Sequence, residues 1–172
     1  LEFRHVLFRS GRNGTMWAFE QFDVVPDVLL LGKALGGGMP LGAFVADINI
    51  MQSLTENPVL GHINTFGGHP VCCAAGLAAL EVLKRESLLE QVFEKEKLFR
   101  SLLVHPVIKK LNSRGLMMAM FLDSYEQNKQ LIGKLIERGV FTDWFLFASN
   151  ALRIAPPLTI SEQEIKKACA EI

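Results

Sequence analysis

Gly32-Lys33-Ala34-Leu35-Gly36-Gly37-Gly38 sets a primary amine between a short apolar run and a glycine-rich turn. Three kinds of chemistry suit such a lysine. The commonest is none at all, a solvated cation in a turn. A phosphate-binding loop would need a glycine five residues before Gly32 and a Ser or Thr after Lys33. Asp27 and Ala34 hold those positions, so that reading fails. The third role is a Schiff-base lysine, whose amine condenses with an aldehyde cofactor. Glycines beside it let a planar ring approach the backbone closely. Spacing alone does not choose between the solvated cation and the Schiff base.

Two other residues could bind rather than react. Thr65, in Asn64-Thr65-Phe66-Gly67-Gly68, carries a hydroxyl in a glycine-flanked turn. It either bonds its own backbone, as turn residues do, or reaches an anionic group. Arg153 precedes the stiff turn Ala155-Pro156-Pro157. A guanidinium fork matches a carboxylate in two places, but a lone strand arginine more often pairs with a nearby acid. His62, His69 and His105 read as solvated or capping residues, and Lys166 with Lys167 as a solvated helix face. Phe141, Trp144, Phe145 and Phe147 read as domain core, with Trp144 an alternative candidate for the mouth of a site.

The elements that must hold these residues follow from periodicity. Asp27–Leu31 is a continuous apolar run bounded by Pro26 and Gly32, the pattern of a strand covered on both faces in a parallel sheet. Leu41–Ala46 is a second run beyond the glycine turn, and α/β proteins place ligands at such loops. Pro70 opens a helical pattern that continues to about Leu103, with a break near Ser87. Val71, Ala75, Ala78, Ala79, Val82 and Leu83 give it a small-residue face. His105-Pro106 ends it. Strands are then expected at Gly115–Leu122, Val140–Phe147 and Leu152–Ile154, and a helix at Glu126–Arg138. Ser161 and Glu164 form a capping box for a final helix. This order predicts an α/β protein with a separate small α/β domain after a long helix.

Composition is that of a globular chain: 172 residues, 49% hydrophobic and 21% charged. Eighteen basic and eighteen acidic residues cancel, so no global field favours nucleic acid or an anionic membrane. No apolar run approaches the roughly 18 residues of a membrane span. Cys72, Cys73 and Cys169 are an odd number with two adjacent, and no histidine or second cysteine pair falls at metal-ligand spacing. Buried thiols in the cytoplasm, and no metal, are expected.

Residues 1–10 match nothing that follows, lack a signal-peptide core, and begin without Met. Glu2-Phe3 is what an EcoRI site encodes, which suggests a foreign segment, although a short strand would also fit. The other end stops in helical pattern without a capping residue. Both ends suggest a fragment.

From Gly11 onward the motifs resemble a known family. Gly11-Arg12-Asn13-Gly14-Thr15, Pro26-Asp27 and Leu31-Gly32-Lys33-Ala34-Leu35-Gly36-Gly37-Gly38-Met39-Pro40 look like the cofactor-lysine segment of class III pyridoxal-phosphate (PLP) aminotransferases, acetylornithine/ornithine subgroup. His62-Ile63-Asn64-Thr65-Phe66-Gly67-Gly68-His69-Pro70 resembles the following phosphate-contact motif. Arg114-Gly115-Leu116-Met117 and Leu152-Arg153-Ile154-Ala155-Pro156-Pro157-Leu158 resemble the small-domain motifs. The resemblance implies a piece of the fold-type-I architecture. Residues 11–95 would be the later part of the large, mostly parallel-sheet domain, and residues 96–172 a small domain truncated at its end. It implies PLP as cofactor, Lys33 as the Schiff-base and proton-shuttling residue, and Thr65 on the cofactor phosphate of the partner subunit in a homodimer. Arg153 would grip the substrate α-carboxylate, and amino acids with 2-oxo acids such as 2-oxoglutarate would be substrates.

The family pattern also carries an aspartate for the pyridinium nitrogen, a glycine-rich phosphate cradle and an aromatic residue that stacks on the ring. None has a counterpart in this chain. The expectation is therefore that the chain alone is inactive. A same-fold aminomutase or decarboxylase, or a non-catalytic α/β piece, are the competing readings.

Overall fold

The computed structural model describes the backbone of residues 5–7 and all of residues 11–172, which divide into two compact units. Of the described residues, the first comprises 5–7, 11 and 15–87, the second 12–14 and 88–172. The expected foreign segment therefore lies mostly outside the described residues. The division expected at residue 95 falls inside a helix. That helix buries Val92 and Phe99 in the second unit's core and so belongs there.

In the first unit a three-stranded sheet runs β1 (His5–Leu7), β2 (Val28–Leu31), β3 (Ala43–Ala46). β1 pairs parallel with β2, as the sequence reading requires of this sheet. The β2–β3 pair is antiparallel, with Leu31 opposite Ala43. A parallel return needs a crossover of about a dozen residues or more, usually a helix. The glycine turn supplies only a single 3-10 turn at Lys33–Gly36. The strands are also less covered than their apolar runs suggest: β2 is half-buried and Phe44 and Val45 of β3 are exposed.

A short helix α1 (Ile48–Gln52), capped by the Asp47 carboxylate on the Asn49 N–H, leads towards α2 (Pro70–Arg85). Pro70 opens α2 in its first turn. Its covered face runs through Ala75, Gly76, Ala79 and Leu83, whereas Val71 and Ala78 of the expected face are exposed. The predicted break comes at Ser87, which has a φ of 47°. Cys73 is exposed and Cys72 half-buried, so the thiols are not the uniformly buried set expected.

The second unit is an antiparallel sheet of order β4-β5-β7-β6 with three helices. Its strands are β4 (Lys110–Arg114), β5 (Met117–Phe121), β6 (Asp143–Phe145) and β7 (Ala148–Ile154). The helices are α3 (Val92–Leu102), α4 (Tyr125–Glu137) and α5 (Glu162–Glu171). Alternation on β5 buries Met118 and Met120, while β7 buries Ala151, Leu152 and Ile154. Phe99, Ile132, Leu135 and Ile165 come from the helices onto the same core. Ser124 caps α4 and the Ser161–Glu164 capping box opens α5. β4 had no signature in the sequence, because Lys110-Leu111-Asn112-Ser113-Arg114 offers one apolar residue to the sheet.

The expected aromatic core is corrected. Phe141 and Phe147 are 92% and 98% exposed and Trp144 is also exposed. Phe145 is half-buried and Trp144 stands edge-on to Tyr125 of α4 at 6.1 Å, but β6 is a three-residue edge strand with a bulge at Trp144/Phe145, so little of the cluster is covered.

Candidate active site

Lys33 is set by an unusual stretch of backbone. Gly32 is fully extended, and Lys33 then turns to a left-handed φ of 53° to start the 3-10 turn. An L-residue in that region costs on the order of 1–2 kcal/mol, so the surrounding contacts must impose it. Leu35 N–H to Gly32 O (3.2 Å), Gly37 N–H to Ala34 O (3.1 Å) and Met39 N–H to Gly36 O (3.0 Å) close the turn. Two glycines then seat it on α2. A Cβ on Gly37 would stand 2.5 Å from the Ala75 carbonyl oxygen, and one on Gly76 would stand 2.8 Å from the Leu35 carbonyl oxygen. Backbone therefore meets backbone on both sides, and the lysine is carried by a turn seated directly on the helix. This explains the glycine run: part of it serves packing, not ligand approach.

The Lys33 side chain is exposed, and among the described residues its amine has no hydrogen-bond or ion-pair partner. Gly32 and Gly38 face open space. Thr65 lies in the turn before α2, closed by Gly67 N–H to Asn64 O at 3.2 Å. Its hydroxyl is likewise unengaged among the described residues, so it does not bond its own backbone.

Arg153 sits on β7 in the second unit. Its guanidinium pairs with the Asp143 carboxylate, and the Thr142 hydroxyl donates to the Arg153 carbonyl oxygen at 2.6 Å. The structure thus gives this arginine the acid partner of its ordinary reading. The turn after it is held from two sides. Arg12 donates to Pro156 O at 2.6 Å and to Leu116 O at 3.3 Å, and Lys95 donates to Leu158 O at 2.6 Å. Burial lowers the Lys95 pKa from the ordinary lysine range. Arg153, Asp143 and Thr142 line a hollow of about 620 Å³, walled further by Val140, Ile154 and Ile160.

The histidines stay at the surface. His62 Nδ1 lies 3.0 Å from Leu54 O, and His105 Nδ1 accepts the Val107 N–H at 3.2 Å. Cys169 is half-buried, and its thiol is pushed up to about 11 by desolvation, away from reactivity. Sequence reasoning missed Asp143, Arg12 and Lys95. Arg12 stands in a quoted motif, but only the fold shows that its target is a carbonyl 144 residues away.

A lysine turn clamped on a helix, a half-covered sheet and a small antiparallel domain match a known assembly. The class-III aminotransferase pattern matches residues 8–172, and the chain belongs to that family. It is 37% identical over 163 residues to the acetylornithine aminotransferase of Caldanaerobacter subterraneus subsp. tengcongensis, covering 92% of this chain and 40% of that one. It is 38% identical to the putrescine aminotransferase of Pectobacterium atrosepticum, covering 94% of this chain and 36% of that one. Among solved structures, the ornithine aminotransferase of Toxoplasma gondii, crystallised with partial PLP occupancy at its active site, superposes with a TM-score of 0.83 at 33% identity. The match covers 93% of this chain and 38% of that one. The chain thus spans about two fifths of the length of the relatives it matches.

Class-III aminotransferases are PLP-dependent enzymes. The residues present fit that group in three respects: an unengaged amine on a rigid turn, open space over Gly32 and Gly38, and an unengaged hydroxyl at Thr65. Among the described residues no helix is long and apolar enough to cross a membrane.

Proposed function

We propose that the protein to which this chain belongs is a PLP-dependent aminotransferase of the acetylornithine/ornithine type. It would pass the amino group of an amino acid, at its α or ω position, to 2-oxoglutarate, working as a cytoplasmic homodimer. The observation that carries this reading is Lys33: a partnerless amine held in a left-handed turn that two glycines lock onto α2. When bound, PLP supplies an aldehyde that captures amines and a ring that takes up electrons. Lys33 Nζ would hold it covalently, and the same amine, when free, would be the group that takes up and returns the proton at the substrate carbon that bears nitrogen. The Thr65 hydroxyl would donate to the cofactor phosphate held by the partner subunit. Arg153 pairs with the substrate carboxylate.

The test is Lys33→Ala in the complete enzyme. Visible absorbance from bound PLP and transamination should disappear together, and borohydride reduction of the parent should label Lys33 on peptide mapping. Retained absorbance with the label on another lysine would sink the assignment.

A further inference from the structure

We propose that Asp143 is the positioning residue that holds the Arg153 guanidinium for a carboxylate-bearing substrate, and so sets the preference for such substrates over plain amines. This rests on the carboxylate role just proposed for Arg153. Asp143 and Arg153 stand directly opposite each other on β6 and β7. Their side chains form an ion pair through one arginine Nη and one carboxylate oxygen. The adjacent Thr142 hydroxyl clips the same residue through its carbonyl, so Arg153 is gripped at both backbone and side chain.

Exposure distinguishes positioning from mere structure. The two side chains are 34% and 44% exposed, and a pair that open adds little to fold stability. Its effect falls on orientation. A guanidinium has five N–H donors, and among the described residues Asp143 is its one side-chain partner. The donors Asp143 leaves free are available to a second carboxylate. An aspartate fixed by strand register restrains one Nη of the guanidinium and leaves its other donors to a second carboxylate. The neighbouring hollow gives a substrate room beside the pair, with Ile154 and Val140 for its methylene chain.

The other charged groups of that hollow are already engaged or spent elsewhere. Arg138 pairs with Glu171 at 3.1 Å, and Glu164 closes the capping box on Ser161. Among the described residues lining it, Lys167 adds the one unassigned charge.

The experiment uses the complete enzyme and two readouts. One is the equilibrium Kd of glutarate, an unreactive dicarboxylate, measured by calorimetry on the cofactor-free protein. The other is the ratio of KM values for glutamate and putrescine. Asp143→Ala should raise the glutarate Kd and the glutamate KM by about tenfold or more, with a far smaller change for putrescine. Asp143→Asn, which keeps the shape and one acceptor, should fall between, and it serves if the alanine variant folds poorly. In an Arg153→Ala background, Asp143→Ala should add less than about twofold, because a positioning residue has nothing left to position. Tighter glutarate binding in Asp143→Ala would show competition rather than positioning and overturn the proposal. An equal loss in both backgrounds would show a structural role and overturn it too. If Arg153→Ala weakens glutarate but Asp143→Ala and Asp143→Asn do not, this inference fails and the Arg153 assignment stands. If Arg153→Ala leaves glutarate binding intact, the carboxylate assignment itself fails.

Discussion

The two units spend their apolar residues differently. In the second, Met118, Met120, Leu135, Leu152 and Ile165 are fully buried in one cluster fed by both sheet and helices. In the first, Ala18, Leu35 and Leu83 are the buried hydrophobics among the described residues, while Phe44, Val45, Ile63 and Phe66 face outward. The proposed cofactor lysine belongs to the unit with the thin core, and the proposed carboxylate grip to the unit with the full one. A site can therefore be locally rigid without a large core around it. The Lys33 turn gets its rigidity from two glycine contacts with backbone, not from buried area.

The strongest way to break this contrast is to ask whether local rigidity suffices for chemistry. The chain as it stands, titrated with PLP, should show no stoichiometric, saturable visible complex and no turnover of ornithine or glutamate. Thr65 can contribute one charge-assisted hydrogen bond of about 1.5–3 kcal/mol, whereas micromolar affinity takes about 8. Saturable binding with turnover would show that the lysine turn needs no further support.

A pair of truncations sharpens the energetic side. Met120→Ala removes a fully buried side chain and should cost about 2–5 kcal/mol. Phe44→Ala, on an exposed strand face, should stay within about 0.5 kcal/mol. Urea unfolding midpoints at fixed slope give both numbers. Equal costs would mean that the first unit's apolar face is covered in solution, most simply by a second copy.

Next in size is Arg12, a charged splint within the second unit. Arg12→Ala leaves the Pro156 and Leu116 carbonyls without their donor and should cost about 1.5–3 kcal/mol of that unit's stability. Arg12→Lys should recover part of the loss, since both bonds leave from the single nitrogen Nη1, a role that one ammonium can fill if its stem reaches. Chemical denaturation checks both, and identical stability of all three proteins would remove Arg12 from the frame.

What the sequence disclosed follows the same division between local and distant causes. The Ser161–Glu164 box, the break at Ser87 and the start of α2 at Pro70 were legible, because each depends on residues within four or five positions, whereas the seating of the Lys33 turn on α2 through Gly76 was not. The fully covered character of β2 and β3 was misread. Apolar runs state what a strand needs, and only the surrounding structure states whether it is met. The aromatics Phe141, Trp144 and Phe147 failed for a related reason: hydrophobic type said core, but a bulged edge strand is covered only in part, Trp144 meeting Tyr125 edge-on. Asp143 was invisible because its pairing with Arg153 is a matter of strand register. A ten-residue separation around a bulged hairpin does not fix that register.

The smallest expected effect tests the local cause most directly. Glu164 is held ionised by the Ser161 backbone N–H first and the Ser161 hydroxyl second, against a slight opposing desolvation. Its pKa therefore lies below the ordinary glutamate range. The sign follows from that direction. A carboxyl depressed in the folded state stabilises the fold above its unfolded pKa, and the contribution is lost as pH falls through the folded one. Helix α5 should hence fray earlier in acid than at neutral pH, and Glu164→Gln should flatten that part of the profile. Ser161→Ala removes the cap itself and should cost about 1 kcal/mol at neutral pH. Stability measured against pH for the parent and both variants separates the two contributions. If Glu164→Gln leaves the acid limb unchanged, the box is held by the Ser161 hydroxyl alone and the carboxylate is a spectator.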